Sequence, residues 1–150
     1  MGVGEANLAG NVHGGWIMKL CDEVAGIAAI RHSGHRVVTA AIDRMNFRHP
    51  VLVGDLVTLS ASVNAAWRTS MEVGVRVEKE NVWTGERAHT STAYLTMVAL
   101  DADGQPVTIP MIVPETAEEH RRGREAQLRR DNRLTEREQI TAERGGAADY

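Results

Sequence analysis

Residues 7–23, NLAGNVHGGWIMKLCDE, lead into the most apolar stretch of the chain, which opens on His13-Gly14-Gly15 and carries a carboxylate, Asp22, in its middle. Burying an unpaired ion costs on the order of several kcal/mol, so an acid there indicates either a chemical use or an exposed position. A carboxylate can take a proton from water or attack a carbonyl carbon directly. Glycines leave their backbone N–H groups open to a carbonyl oxygen.

The element that must position these groups is a helix predicted over residues 15–32. It is expected to be buried on nearly all sides, because most of its positions are small or apolar. Its predicted stop is Ser33-Gly34, preceded by the basic Arg31 and His32 that a helix C-terminus favours. The apolar side chains on one broad face are Trp16, Ile17, Leu20, Cys21, Val24, Ile27 and Ala28.

Helical geometry sets the distance between the glycines and the acid. Gly14-Gly15 lies where the helix begins, so its N–H groups and the positive end of the helix dipole face the space in front. Asp22 lies roughly 10 Å further along the axis, on a stripe with Gly15, Met18, Ala25 and Ala29. These residues fit a site that holds a carbonyl and a water, and equally a close-packed helix start followed by a half-exposed acid.

After the helix the hydrophobic period changes to two. Four strands are predicted, at residues 36–47, 57–64, 71–78 and 87–100, and they are joined by short turns. Such strands form an antiparallel sheet, and a helix that is apolar on all sides needs a sheet that curves around it. The predicted fold is therefore α+β, with a curved antiparallel sheet wrapped around one central helix.

Composition narrows the function classes. The net charge of −3 and pI near 6.1 argue against nucleic acid as a partner. No apolar run is long enough to cross a membrane and no signal peptide is evident, so the protein is expected to be cytoplasmic. The single cysteine, Cys21, is expected to be a small buried hydrophobe rather than a nucleophile.

The chain changes character after Pro114. Residues 115–144 hold eight arginines and eight acidic residues, which indicates a helix stabilised by pairs three and four residues apart. Its charges suit either a solvated face or contacts with phosphates. We expect a domain at 1–114, a charged C-terminal helix at 115–133 and a disordered tail at 134–150.

The chain resembles the acyl-CoA hydrolase type of thioesterase in the hotdog superfamily. The matching stretches include ANLAGNVHGGWIMKLCDEVAGIAAIRH, VVTAAIDRMNF, VGDLVTLSASV, TSMEVGVRVEKENVWTGE and PETAEEHRRGREAQLRR, which together reach from residue 6 to about 133. The resemblance implies the hotdog fold and hydrolysis of acyl-CoA to free acid and CoA. It implies a homodimer as the minimum unit and a homohexamer as the full assembly.

The resemblance also implies site residues. Asn7 of one subunit would work with Asp22 of a neighbour, and the N–H of Gly15 would hold the carbonyl oxygen. Asp22 would act as general base, with direct nucleophilic attack as the alternative. The implied substrate contacts are His13 and Gly14, with Val38, Thr39 and the turn Arg68-Thr69-Ser70 for the CoA moiety. No cofactor and no metal are expected. A strand usually precedes the Asn, so this strand is expected upstream or missing.

Several alternatives remain open from the residues. Arg68 suits a solvated turn as well as a CoA contact, and His13 suits simple packing as well as substrate contact or loop positioning. His32 and His35 are expected to be a capping and surface pair rather than metal ligands. The rival functions are a non-catalytic acyl-CoA sensor on the same fold and a dehydratase, which would need a His poised with the acid.

Overall fold

The computed structural model describes residues 1–145 and divides into one unit at Met1–Met111 and a second from Ile112 onward. In the first unit, a 3-10 turn at Val3–Glu5 precedes the main elements. These are α1 (Gly14–Ser33), β1 (Arg36–Ile42), β2 (Leu56–Ala66), β3 (Ser70–Glu80) and β4 (Arg87–Leu100). The second unit contains α2 (Ala117–Glu143).

Local signals set both ends of α1. His13 is the N-cap, in extended backbone conformation. At the other end Gly34 has φ 71°, a left-handed conformation that suits glycine, and its N–H donates to the Ile30 carbonyl over 2.8 Å. The predicted helix and its stop at Ser33-Gly34 are thus confirmed.

The four strands form one antiparallel sheet in the order β1-β4-β3-β2, so β1 and β2 are its edges. Each of the three pairings contains a register shift, the kind of irregularity that bends a sheet. The strand β1 ends at Ile42, whereas the sequence predicted it to reach residue 47. Beyond Ile42 the chain bonds to β4 at Asp43 and again at Arg48, outside a regular ladder.

The core lies between α1 and one face of the sheet. A hydrogen bond from Thr39 to Asp22 of α1 identifies this face, and the register places Thr39, Met97 and Met71 in one row across it. The alternate β3 residues Met71, Val73, Val75 and Val77 are completely buried there. The helix contacts all four strands.

Burial of α1 differs from the prediction. Its buried residues are Ile17, Cys21, Ala25, Ala29 and Ser33, a stripe with four-residue spacing. Ile27 and Ile30 on another side remain 52% and 49% exposed. Near all-round burial was therefore wrong for the single chain, because a sheet on one side covers only one face of a helix. The α+β class, with a curved antiparallel sheet against a central helix, is confirmed.

The charged helix α2 begins with a capping box. The N–H of Glu119 donates to the Thr116 hydroxyl over 3.1 Å, and the N–H of Thr116 donates to the Glu119 carboxylate over 3.0 Å. Pairs four residues apart, such as Arg121 with Glu125 at 2.7 Å, follow as predicted. The helix runs to Glu143, past the predicted end at residue 133, since no glycine or proline interrupts it there. Part of the predicted tail, residues 146–150, lies outside the described residues.

Within residues 1–145, no helix combines the length and the apolar character that a membrane span requires.

Candidate active site

The start of α1 is organised by the side chain of His13. The backbone N–H of Gly15 donates to Nδ1 of His13 over 3.0 Å. An imidazole nitrogen accepts only when it carries no proton, so this cap requires Nδ1 to be unprotonated. The N–H of Gly15, which the sequence suggested for the carbonyl oxygen, is therefore already occupied by the histidine ring.

The neighbouring N–H of Gly14 differs from that of Gly15 in its hydrogen bonding. Among the described residues it has no acceptor, which is common for the first N–H groups of a helix. Gly14 is half-buried, and the dipole of α1 adds partial positive charge at this end. The structure thus offers a donor to an incoming oxygen one residue earlier than predicted.

Asn7 lies in a closed loop that leads into this helix start. Its Oδ1 accepts from the N–H groups of Ala9 and Asn11 over 2.9 and 3.2 Å. Its side-chain NH₂ group has no acceptor among the described residues. Because Ala6 pairs with Val12, the loop returns beside the start of α1. Asn7, His13 and Gly14 are therefore treated as one helix-start cluster.

The second group of site residues is the carboxylate pair, Asp22 on α1 and Thr39 on β1. The Thr39 hydroxyl donates to Oδ1 of Asp22. The hydroxyl also lies 3.4 Å from the sulfur of Met97, which packs beside it. Among the described residues Oδ2 of Asp22 has no donor, and the side chain is half-buried. This arrangement fixes one carboxylate oxygen and leaves the other for a water molecule.

Thr39 was predicted to contact CoA, and the structure gives it a different partner, Asp22. The two clusters are also separate along the helix. Asp22 is eight residues after Gly14, which corresponds to about 12 Å at 1.5 Å per residue. Within one chain, the structure contains no direct bond between Asn7 and Asp22.

The remaining predicted CoA contacts lie at one end of the sheet. Val38 pairs with Val98, and Val98 pairs with Ser70, so Val38 and Ser70 are in one row two strands apart, about 10 Å. The carbonyls of Arg68 and Thr69 accept from Ile109 and Ala99 over 3.0 Å each, which fixes this turn. The Arg68 side chain is exposed.

Cys21 directly precedes Asp22 but takes no part in this chemistry. It is completely buried, and burial raises the pKa of its thiol to about 11. A thiol with that pKa is protonated at neutral pH and is a poor nucleophile. Its packing agrees with the role predicted for it.

His32 and His35 have separate local contacts near the end of α1. The Nε2 of His32 lies 2.8 Å from the Pro110 carbonyl, and the backbone N–H of His35 donates to the Ser33 hydroxyl over 3.2 Å. No group of three or more potential metal ligands occurs in the described part of the chain.

Sequence reasoning missed one residue at the helix start, Phe47. Its ring lies against Gly14, since a methyl group built on Gly14 would be 3.4 Å from Cζ of Phe47. Phe47 is the only phenylalanine of the chain and was predicted as the last residue of the first strand, whereas the observed β1 ends at Ile42. That position alone gave no indication of a contact with a residue so distant in sequence.

Comparison with known proteins places these features in a family. The model of the thioesterase superfamily matches residues 9–84. An uncharacterized acyl-CoA thioester hydrolase of Bacillus subtilis is 43% identical over 115 residues, which cover 77% of this chain and 67% of that protein.

Solved structures agree in fold. A crystal structure of an apo-hexameric acyl-CoA thioesterase is 41% identical with a TM-score of 0.85, covering 89% of this chain and 85% of that one. An acyl-CoA hydrolase from Staphylococcus aureus, in complex with butyryl coenzyme A, coenzyme A and coenzyme A disulfide, is 32% identical with a TM-score of 0.85. That match covers 97% of this chain and 90% of the other. Further structures of the S. aureus hydrolase carry alanine in place of an aspartate, a threonine or an asparagine. The chain belongs to the thioesterase superfamily and has its hotdog fold.

Proposed function

We propose that this protein hydrolyses acyl-CoA thioesters to a free acid and CoA, using Asp22 to activate water. The observation that carries the proposal is the hydrogen bond from Thr39 to Asp22. It orients a half-buried carboxylate and leaves Oδ2 available, as a general base in a hydrolase requires. The similarity to acyl-CoA thioester hydrolases supplies the substrate class.

The spacing of three residues supports the same assignment. In the S. aureus hydrolase the substituted asparagine lies 15 residues before the substituted aspartate, and the threonine lies 17 residues after it. Asn7, Asp22 and Thr39 have the same two spacings. These three residues are therefore our candidates for the side chains that carry the reaction.

In the proposed reaction the thioester carbonyl oxygen accepts a hydrogen bond from the N–H of Gly14. We assign this donor to Gly14 rather than Gly15, because His13 occupies the N–H of Gly15 and thereby holds the first turn in place. Asp22 takes a proton from water as the water oxygen attacks the carbonyl carbon. The tetrahedral intermediate then collapses, the C–S bond breaks, and the CoA sulfur gains the proton that Asp22 took from water, so CoA leaves as the thiol and Asp22 is again a carboxylate.

Asn7 contributes a fixed NH₂ group to this site. Its Oδ1 is held by two backbone N–H groups, so the amide cannot rotate freely, and its NH₂ can orient the water or the substrate. We propose that the helix-start cluster of one subunit meets the carboxylate pair of another. Each site would then need two chains.

Apolar surface on the single chain supports such an assembly. Val38 and Ile42 on the edge strand β1 are 47% and 40% exposed, and Ile27 and Ile30 on α1 are also exposed. An unpaired edge strand with apolar side chains favours pairing with another copy. We propose a homodimer as the minimum unit and, by similarity to the hexameric relative, a homohexamer. We also propose a cytoplasmic location, since a relative from Rattus norvegicus is named a cytosolic acyl coenzyme A thioester hydrolase.

A substrate panel tests the function. Purified protein is incubated with acyl-CoAs of graded chain length, and release of the CoA thiol is followed together with the free acid. We expect equal amounts of both products, with no added metal or cofactor. Binding of acyl-CoA without release of either product would contradict hydrolysis and favour a sensor.

Replacing Thr39 with valine tests the orienting hydrogen bond. Valine keeps the shape but removes the donor, and a hydrogen bond to a charged group contributes about 1.5–3 kcal/mol. We therefore expect kcat to fall roughly tenfold to a hundredfold, as measured by thiol release. The matched control Thr39→Ser keeps the hydroxyl and should retain most activity. Equal losses in the two variants would contradict the role of the hydroxyl.

A further inference from the structure

The aromatic ring of Phe47 lies at the start of α1 beside the candidate oxygen donor. A methyl group built on Gly14 would be 3.4 Å from Cζ and 3.5 Å from Cε2 of this ring, which is van der Waals contact. The side chain nevertheless remains 46% exposed. The ring therefore lies on the side of Gly14 where a Cβ would project, and it still has surface open to a substrate.

The backbone on either side of Phe47 is fixed to the sheet. The N–H of Asp43 donates to the Tyr94 carbonyl over 2.9 Å, and the N–H of Arg48 donates to the Thr90 carbonyl over 2.8 Å. Both acceptors belong to β4, a central strand of the sheet. Since Phe47 directly precedes Arg48, the backbone that carries the ring is hydrogen-bonded to the sheet next to this residue.

The position of the ring determines what it can contact in a substrate. A carbonyl oxygen bound to the N–H of Gly14 would lie about 2.9 Å from the nitrogen, which brings the first carbons beyond the carbonyl within reach of the ring. Met18 lies one helical turn after Gly14 and is 37% exposed, so a second apolar side chain borders the same space. The acyl chain is the apolar substituent of an acyl-CoA thioester, and it suits these two side chains better than the amide-bearing arm of CoA.

We infer that Phe47 is a specificity-determining residue whose ring packs against the acyl carbons nearest the thioester carbonyl. The inference rests on the proposed function and adds a residue that makes the site selective for the length of the acyl group. Acyl chains that extend past the ring gain its contact, whereas an acetyl group is too short to gain much.

The test compares acyl chains in variants of Phe47. We expect Phe47→Ala to lower kcat/KM for butyryl-CoA and hexanoyl-CoA by about tenfold, the loss expected for roughly two methylene contacts, and to change the value for acetyl-CoA far less. Phe47→Leu keeps an apolar side chain and should recover part of the loss. The control Trp83→Ala removes an exposed aromatic ring from the turn between β3 and β4. Its kcat/KM for acetyl-CoA, butyryl-CoA and hexanoyl-CoA should stay at the parent level.

Two results would overturn the inference. An equal loss for all three substrates would mean that the ring only supports the helix start, and no loss in any of them would mean that it does not contact the acyl group. Thermal melting shows whether Phe47→Ala folds. If it does not fold, the test uses the ratio of butyryl-CoA to acetyl-CoA activity in Phe47→Leu, and a ratio equal to that of the parent rejects the inference. A parent protein that releases no CoA thiol would instead reject the proposed function itself.

Discussion

Asp22→Asn is expected to lower kcat for acyl-CoA hydrolysis by a factor on the order of 10² to 10⁴, the range attributed to a general base. The asparagine has nearly the same shape, and its Oδ1 still accepts the hydrogen bond from Thr39. It cannot take a proton from water, however, so the attacking water is no longer activated. Thiol release under saturating substrate measures the effect.

The adjacent acid on the same helix provides the control. Glu23 forms an exposed ion pair with Lys19 at 2.9 Å, and Glu23→Gln changes the charge of α1 by the same amount as Asp22→Asn. We expect Glu23→Gln to keep the parent kcat, and both variants to melt near the parent temperature, since exposed pairs contribute little to stability. An Asp22→Asn protein within a fewfold of the parent rate would eliminate the general-base role.

Features set by short stretches of sequence were predicted well. The end of α1 at Gly34 depends on one residue that adopts a left-handed conformation, and the Arg121–Glu125 pair of α2 depends on four-residue spacing. The antiparallel strands likewise follow from alternation along each segment. Periodicity within a segment therefore sufficed for the fold class and for the helix that carries Asp22.

Features that depend on packing between distant segments were not predicted. The contact of Phe47 with Gly14 and the hydrogen bond of Thr39 with Asp22 both depend on how the strands lie over α1, which the periodicity of one segment does not contain. The choice between Gly14 and Gly15 as donor depends on the rotamer of the His13 ring.

The exposed face of α1 has a related explanation. Its apolar residues led to a prediction of burial on all sides, but a chain's own sheet covers only one face. Residues such as Ile27 and Ile30 carry the same apolar character whether they pack within a chain or against another copy. An apolar pattern in the sequence predicts that a side chain is buried. It does not predict whether the same chain or another copy covers that side chain.

We propose that each active site combines Asn7 of one subunit with Asp22 of another, and mixing two inactive variants tests this arrangement. One variant is Asp22→Ala. The other is Asn7→Asp, which keeps an oxygen acceptor for the N–H groups of Ala9 and Asn11 but removes the side-chain NH₂. Each homo-oligomer then carries a lesion in every site.

The two variants are mixed in equal amounts under conditions that allow subunits to exchange, and each variant treated alone is the control. With random pairing half of the dimers are mixed, and each mixed dimer has one site with both lesions and one with neither. If each site is shared between two subunits, thiol release rises from near zero to about a quarter of the parent activity. If Asn7 and Asp22 act within one chain, every site keeps a lesion, and activity that stays near zero after verified exchange would rule out a site shared between subunits.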